Sequence, residues 1–341
     1  MTKKILEYLI HYTKNKNYYK DNIEKRKIIV NSIKDYFNII NKNIINNCLF
    51  CKNLSFNFNF NNQTFCSSST TIIKHPSILD RYIINTRIIN YKLDNIGKSN
   101  CNKKCITINK ISVLDKFFNS IYSKYLFPHN YNSKYVGIED IRLFNFKNEL
   151  YFIGSYYNNS NNKVQIVSNK YKLGKNYKPL IINPTFTTNF NWEKNWVFFE
   201  NNGELNVIYK WSPIYICKID YINKNLNLIK SIENVPSIFT NFRGSTNGVN
   251  YNNKIWFLIH EQKVIINDIK CYTHNFVVFD TNMNLLGYSK TFNFENKIVE
   301  FCVGMELTYN NNFVITYSTL DCSTKLLILS PDYIESLIIY I

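Results

Sequence analysis

The sequence predicts an all-β protein, a five-bladed β-propeller with an N-terminal helical extension, on three observations. First, hairpin-like units recur: turns centred near Asn148, Asn202, Asn252 and Asn311 are separated by 54, 50 and 59 residues, the length of a four-stranded blade. Second, from about residue 65 short apolar and aromatic runs alternate with Asn-rich turns, the pattern of repeated hairpins. Third, the region before them reads differently. Ile29, Ile33, Phe37, Ile40 and Ile44 recur at helical spacing with no Gly or Pro between them.

In chain order, residues 1–60 are assigned to a basic helical extension and residues 61–341 to the propeller. A weak first repeat runs over Pro76–Arg87 with its turn near Asp80, followed by an excursion through the Cys101 region. The clearer repeats span Ile141–Ile153, Trp196–Tyr209, Gly248–Ile259 and Met305–Tyr317, which makes five blades. The apolar end, Leu337–Ile341, is expected to pair with an early strand and close the circle, removing a sheet edge.

Composition narrows the function classes. The abundance of Asn, Ile, Lys, Tyr and Phe reads as the codon bias of an AT-rich genome, such as that of a protist or a large DNA virus. The net charge of +17 follows from the same bias, because the lysines are scattered. Residues 1–47 hold ten Lys/Arg against four Asp/Glu, and no run of five like charges occurs anywhere, so nucleic acid is not expected as a partner. The opening lacks a signal-peptide core and no stretch is long and apolar enough to span a membrane, so a cytoplasmic protein without a membrane partner is expected. The nine cysteines read as reduced thiols. Cys48/Cys51 and Cys101/Cys105 differ in spacing and make a poor zinc set; neither a metal nor a cofactor is expected.

Each repeat carries a polar cluster beside its apolar strand pair, where a propeller brings equivalent positions together at the central channel. These are Arg87 with Asn90 and Tyr91; Glu139, Asp140 and Arg142; Glu193, Lys194, Asn195 and Trp196; Arg243 to Ser245; and Glu300 with Asp321. Charges at the centre of a ring are costly to desolvate unless they pair or meet a ligand. His260, Glu261 and His274 are read as structural rather than as a metal set.

Gly137-Ile-Glu-Asp-Ile-Arg142 resembles the Gly-x-Glu-Asp-Pro-Arg signature of glycoside hydrolase family 130, and Val314–Asp321 is similar to its late Tyr-Gly-x-x-Asp motif. The likeness continues in order through Pro76–Ile78, Asn85–Arg87, Glu193–Trp196, Phe242–Thr246 and Glu300–Gly304, and Tyr272–His274 is similar to an element of related bacterial propellers. Ile141 stands where the signature has proline and Ser318 where the late motif has glycine. The resemblance implies a five-bladed propeller acting on β-mannosides by phosphorolysis, hydrolysis or transfer.

It implies Asp140 as general acid, with Glu139 as the neighbouring anion that keeps its proton in place. Arg87, Arg142, Lys194 and Arg243 would form a cationic ring for phosphate or a sugar phosphate. Asn195, His274, Glu300 and Asp321 would bind substrate, and Trp196, Trp211 and Trp256 would offer stacking faces. Hydrolysis with inversion needs a second carboxylate, for which Glu193, Glu261 and Glu300 are available. The alternative is a glycan-binding or scaffold propeller without chemistry.

Overall fold

The computed structural model describes residues 42–94, 99, 101, 104–129, 131–188, 192–266 and 269–341. Five β-sheets hold most of them. The first blade is built on Gln63–Lys74, Tyr82–Ile89, Cys105–Leu114 and Ser120–Leu126, with Asn57–Phe60 added at its edge. The second holds Ile138–Phe146, Glu149–Asn158 and Lys163–Tyr171; the third holds Val197–Asn201, Glu204–Trp211, Ile214–Asp220 and Asn225–Ile232. The fourth holds Val249–Tyr251, Lys254–Ile266, Ile269–Asp280 and Leu285–Ser289. The fifth takes Glu300–Leu307, Phe313–Thr319 and Ser323–Leu329 and then, out of chain order, Phe50–Asn53.

Hydrophobic packing shows how the sheets stand. Ile83 and Ile111 of the first blade meet Ile141 and Phe152 of the second, and Ile153 and Ile166 of the second meet Phe198 and Val207 of the third. Phe199 and Ile208 continue to Phe257 and Val277 of the fourth, and Trp256 and Phe276 to Phe313 and Leu327 of the fifth. Val314 and Leu326 then pack on Ile72 and Ile84 of the first. Each sheet is therefore covered on both faces, and the ring is closed. That explains why Tyr82–Ile89 is buried at every position: a strand between two neighbours has no solvent face to give it alternation. Full burial of each Ile or Phe stabilises the ring by about 1.5–3 kcal/mol.

The five turn centres read from the sequence all adopt positive φ: Asp80 (58°), Asn148 (62°), Asn202 (51°), Asn252 (50°) and Asn311 (59°). Asn and Asp tolerate this region better than other residues with a Cβ, and tight hairpins demand it.

Three expectations need correction. The ring is closed by Phe50–Asn53, which pairs antiparallel with the fifth blade in the register Phe50↔Ile328 to Asn53↔Lys325. The C-terminal strand Ile338–Tyr340 instead extends the fourth blade by pairing with Leu285–Ser289. The 1–60 extension is also too long. Residues 1–41 lie outside the described residues, but Lys42–Asn43 pairs with Phe292–Asn293, and Asn57–Phe60 forms a hairpin with Gln63–Cys66. Ile44, read as a helical position, is fully buried between the fourth and fifth blades from a 3-10 turn. The sheet region thus begins near residue 42 rather than 61. The cysteines are not all thiols either, since Cys101 and Cys105 form a disulfide with their Cα atoms 6.2 Å apart.

A chain starting at residue 61 loses the closing strand and exposes the edge of Ser323–Leu329. It should melt several degrees below a chain starting at residue 42, or aggregate. Equal melting of the two would return the boundary to residue 61.

Candidate functional site

The second blade's first hairpin contains a register break. Arg142 pairs with Ile153 and Glu139 with Ser155, so Asp140 and Ile141 face a single residue, Gly154. A bulge of this kind re-aims a side chain. Here it holds Asp140 at φ 50°, a conformation that costs a non-glycine residue about 1–3 kcal/mol. Gly154 is required opposite, because a Cβ there would lie 2.7 Å from Ile138 Cγ2.

Around this bulge, side chains from four blades converge. Arg87, 5% exposed, places Nη1 3.2 Å from Asp140 Oδ1 and Nη2 3.2 Å from Glu139 Oε1, and Nη2 also donates to the Tyr91 hydroxyl at 3.1 Å. Lys194, entering the third blade, donates to Glu139 Oε2 at 3.3 Å. Ser69 Oγ donates to Asp140 Oδ1 at 2.8 Å, and Ser68 Oγ to Asp321 Oδ1 at 3.1 Å. Among the described residues, these contacts to Asp140 all meet Oδ1.

The electrostatics follow from burial and pairing. Burial pushes the Glu139 carboxyl up, but Arg87 and Lys194 outweigh it and hold the group well below the usual carboxylate range. Burial likewise opposes the Arg87 charge, and Tyr91, Glu139, Asp140 and Asp321 together raise its pKa regardless. Asp321 is raised, chiefly by burial, against the pull of Arg87.

Arg142 does not join a phosphate-binding ring. It is 1% exposed, and its donors go to backbone carbonyls: Nε to Ser245 at 2.6 Å, Nη2 to Gly244 at 3.2 Å, and Nη1 to Asp140 at 3.1 Å. Burial lowers its pKa to about 10. Asn195, at φ 66°, lies 3.5 Å away through its Oδ1, and its carbonyl packs so close to Gly244 that a Cβ there would sit 2.4 Å from it. Arg142 is therefore a tie between the second and fourth blades.

The other expected site residues each have protein contacts of their own. Trp196 is 1% exposed between the second and third blades and donates to Glu193 Oε2 at 3.2 Å; Trp211 and Trp256 are each 2% exposed, so none of the three can stack on a sugar. His274 is fully buried against Phe294, 4.8 Å between centroids, and neither ring nitrogen has a hydrogen-bond partner among the described residues. Burial lowers its pKa to about 3, leaving a neutral ring. Glu300 accepts the backbone N–H of Phe294, Glu295 and Lys297 at 2.5, 2.8 and 2.7 Å, organising that loop while burial pushes its carboxyl up to about 7. Arg243 is exposed, with Nη1 donating to Gln262 Oε1 at 2.7 Å. Glu193 is held by Trp196 and the Tyr209 hydroxyl, and Glu261 accepts from Asn241 Nδ2 at 3.3 Å.

Ser68 and Ser69 are the partners that sequence reasoning missed. Their signal is the run Ser67-Ser-Ser-Thr-Thr71 inside a strand, buried throughout and broken in register between Ser67 and Thr70. Two surface depressions, of about 250 and 420 Å3, lie elsewhere and are lined by residues such as Phe146 and Tyr221, and Gln165 and Pro179 respectively.

With this geometry in place, the solved structures become informative. A β-1,2-mannobiose phosphorylase from Listeria innocua, in complex with β-1,2-mannobiose, superposes with a TM-score of 0.54 at 12% identity, over 80% of this chain and 92% of that one. The chain shares its fold. A putative glycoside hydrolase from Bacteroides ovatus gives 0.53 at 12% identity, covering 85% and 95%, and one from Parabacteroides distasonis gives 0.51 at 11%, covering 84% and 95%. No family model matches the sequence, and no curated protein matches it.

Two variants test the structural assignments. Arg142→Met leaves the carbonyls of Gly244 and Ser245 buried without donors, and should destabilise the protein by at least about 3 kcal/mol in denaturant unfolding; an unchanged midpoint would mean that the tie is dispensable. For His274, the folded pKa of about 3 lies below the unfolded value of about 6.5, so the unfolded state binds the extra proton on acidification. Its contribution is intact above pH 6.5 and falls by about 1.4 kcal/mol per pH unit below it. His274→Phe should flatten the decline in melting temperature between pH 6.5 and 4.5, and parallel curves for the two proteins would refute the assignment.

Proposed function

We propose that the protein is a carbohydrate-active enzyme that makes or breaks a β-mannosidic bond, with Asp140 as the proton donor. The observation that carries this reading is the bulge at Asp140, where Ser69 and Arg87 fix Oδ1 and the second carboxyl oxygen is left to meet the glycosidic oxygen. The proton passes from Asp140 to that oxygen as the bond to C1 breaks, and a phosphate oxygen takes C1 from the opposite face, giving inversion. Transfer from mannose 1-phosphate is the same step in reverse, with Asp140 accepting the proton.

Hydrolysis is supported less well. It needs a carboxylate to activate water, and Glu193, Glu261 and Glu300 each serve protein groups outside the cluster. Arg243, being exposed, is available to a phosphate, whereas Arg142 is committed to carbonyls and Lys194 is paired with Glu139. Asp321, on the fifth blade, suits sugar hydroxyls.

A second reading, glycan binding without turnover, is favoured by the ion pair of Arg87 with Asp140 at 3.2 Å, which gives the carboxyl a role in holding the first and second blades together. Supplying β-1,2-mannobiose with phosphate and assaying mannose 1-phosphate separates the two. Asp140→Asn should lower product formation by about 10² or more with little change in melting, because Arg87 keeps Glu139 as a partner. Sugar binding with no product from the unmodified protein would favour the second reading, and undiminished turnover in the variant would remove Asp140 from the mechanism.

A further inference from the structure

Of the four tryptophans, Trp192 alone is exposed, at 54%. Its backbone is fixed by a parallel bridge to Val164, and the next residue donates its N–H to the Val164 carbonyl at 2.9 Å. Glu193 is then pinned by Trp196 and Tyr209. The indole is thus held out into solvent by a segment anchored to the second and third blades, at a cost in unburied apolar surface.

Its neighbours are aromatic and lie beside the proposed site. Tyr135 meets the Trp192 ring edge-on, with centroids 6.3 Å apart at 78°, and Tyr157 lies 5.3 Å beyond Tyr135. Lys194 stands over the indole at 5.6 Å from its centroid and also reaches Glu139 at 3.3 Å. One cation therefore links the aromatic group to the residue adjoining Asp140.

We propose that Trp192, with Tyr135 and Tyr157, is a shelf for the sugar on the leaving-group side of the scissile bond, so that the substrate is a glycan extending beyond that bond. This rests on the reading of Asp140 as proton donor. The side is assigned by the chemistry. The donor and the leaving group must lie together, and Tyr135, Tyr157 and Asp140 all belong to the second blade or the segment entering it. Arg243, an exposed cation available to phosphate, belongs to the fourth blade, which is not its neighbour in the ring. The C–H face of a pyranose stacks on an indole while its hydroxyls stay in water.

Because the other three tryptophans are buried, tryptophan fluorescence reports ligand contact at position 192. Titrating the full chain with mannose, β-1,2-mannobiose and β-1,2-mannotriose should give a saturable change with the trisaccharide and none with mannose. Trp192→Ala should lose the change and weaken trisaccharide binding about tenfold by calorimetry, with unaltered melting, and Trp192→Phe should retain most of the affinity. No response to any of the three sugars, an equal response to mannose, or unchanged affinity in Trp192→Ala would each overturn the shelf. Asp140→Asn should keep the fluorescence response while losing turnover. If it turns over normally, the catalytic reading fails independently; if turnover depends on Asp140 while Trp192 stays silent, only the shelf fails.

Discussion

The centre of the ring is organised by a guanidinium that never reaches solvent. Arg142 leaves the second blade and spends its donors on the carbonyls of Gly244, Ser245 and Asp140, so a desolvated charge becomes a joint between blades that are not adjacent. Burying such a charge is costly unless its hydrogen bonds are met, and here backbone carbonyls meet them. Around it, Arg87 and Lys194 face Glu139, Asp140 and Asp321. The cluster is close to neutral, which lets five carboxyl and cationic groups share one partly buried space, each with an opposite charge nearby.

Much of this was legible because some backbone geometries select few residue types. Asp80, Asn148, Asn202, Asn252 and Asn311 mark hairpins, since each sits at positive φ where Asn and Asp have an advantage. The Glu139-Asp140 pair was legible as a polar break ahead of an apolar strand. The fate of neighbouring residues was not. Trp196 and Trp192 differ by four positions in sequence, yet one fills the core and the other stands in solvent, and only the path of the loop decides which. Arg142 reads in sequence as one more cation beside a carboxylate, because two of its three carbonyl partners lie 102 and 103 positions away.

The errors near the N-terminus have the same origin. Ile44 continues a helical spacing, but its burial between the fourth and fifth blades is a tertiary demand that any large aliphatic residue could meet. Asn57-Phe-Asn-Phe60 alternates as a half-buried strand should, and its brevity concealed it. Ser318 replaces a motif glycine without visible strain, since it lies in a regular strand paired with Phe301 and Thr324. A substitution of that kind leaves the blade's geometry intact.

The closing strand has a consequence in time. Phe50–Asn53 is synthesised ahead of every blade, while the strand that receives it, Ser323–Leu329, follows the strands of the first four; Ser55 and Ser323, which share a hydrogen bond across this seam, are 268 positions apart. During synthesis the early strand therefore waits through the emergence of four blades with its backbone groups unpaired, a slow and association-prone interval typical of long-range β pairing. Completion of the ring is then a single late event, and the first and fifth blades acquire their shared core only once the fifth blade has been made.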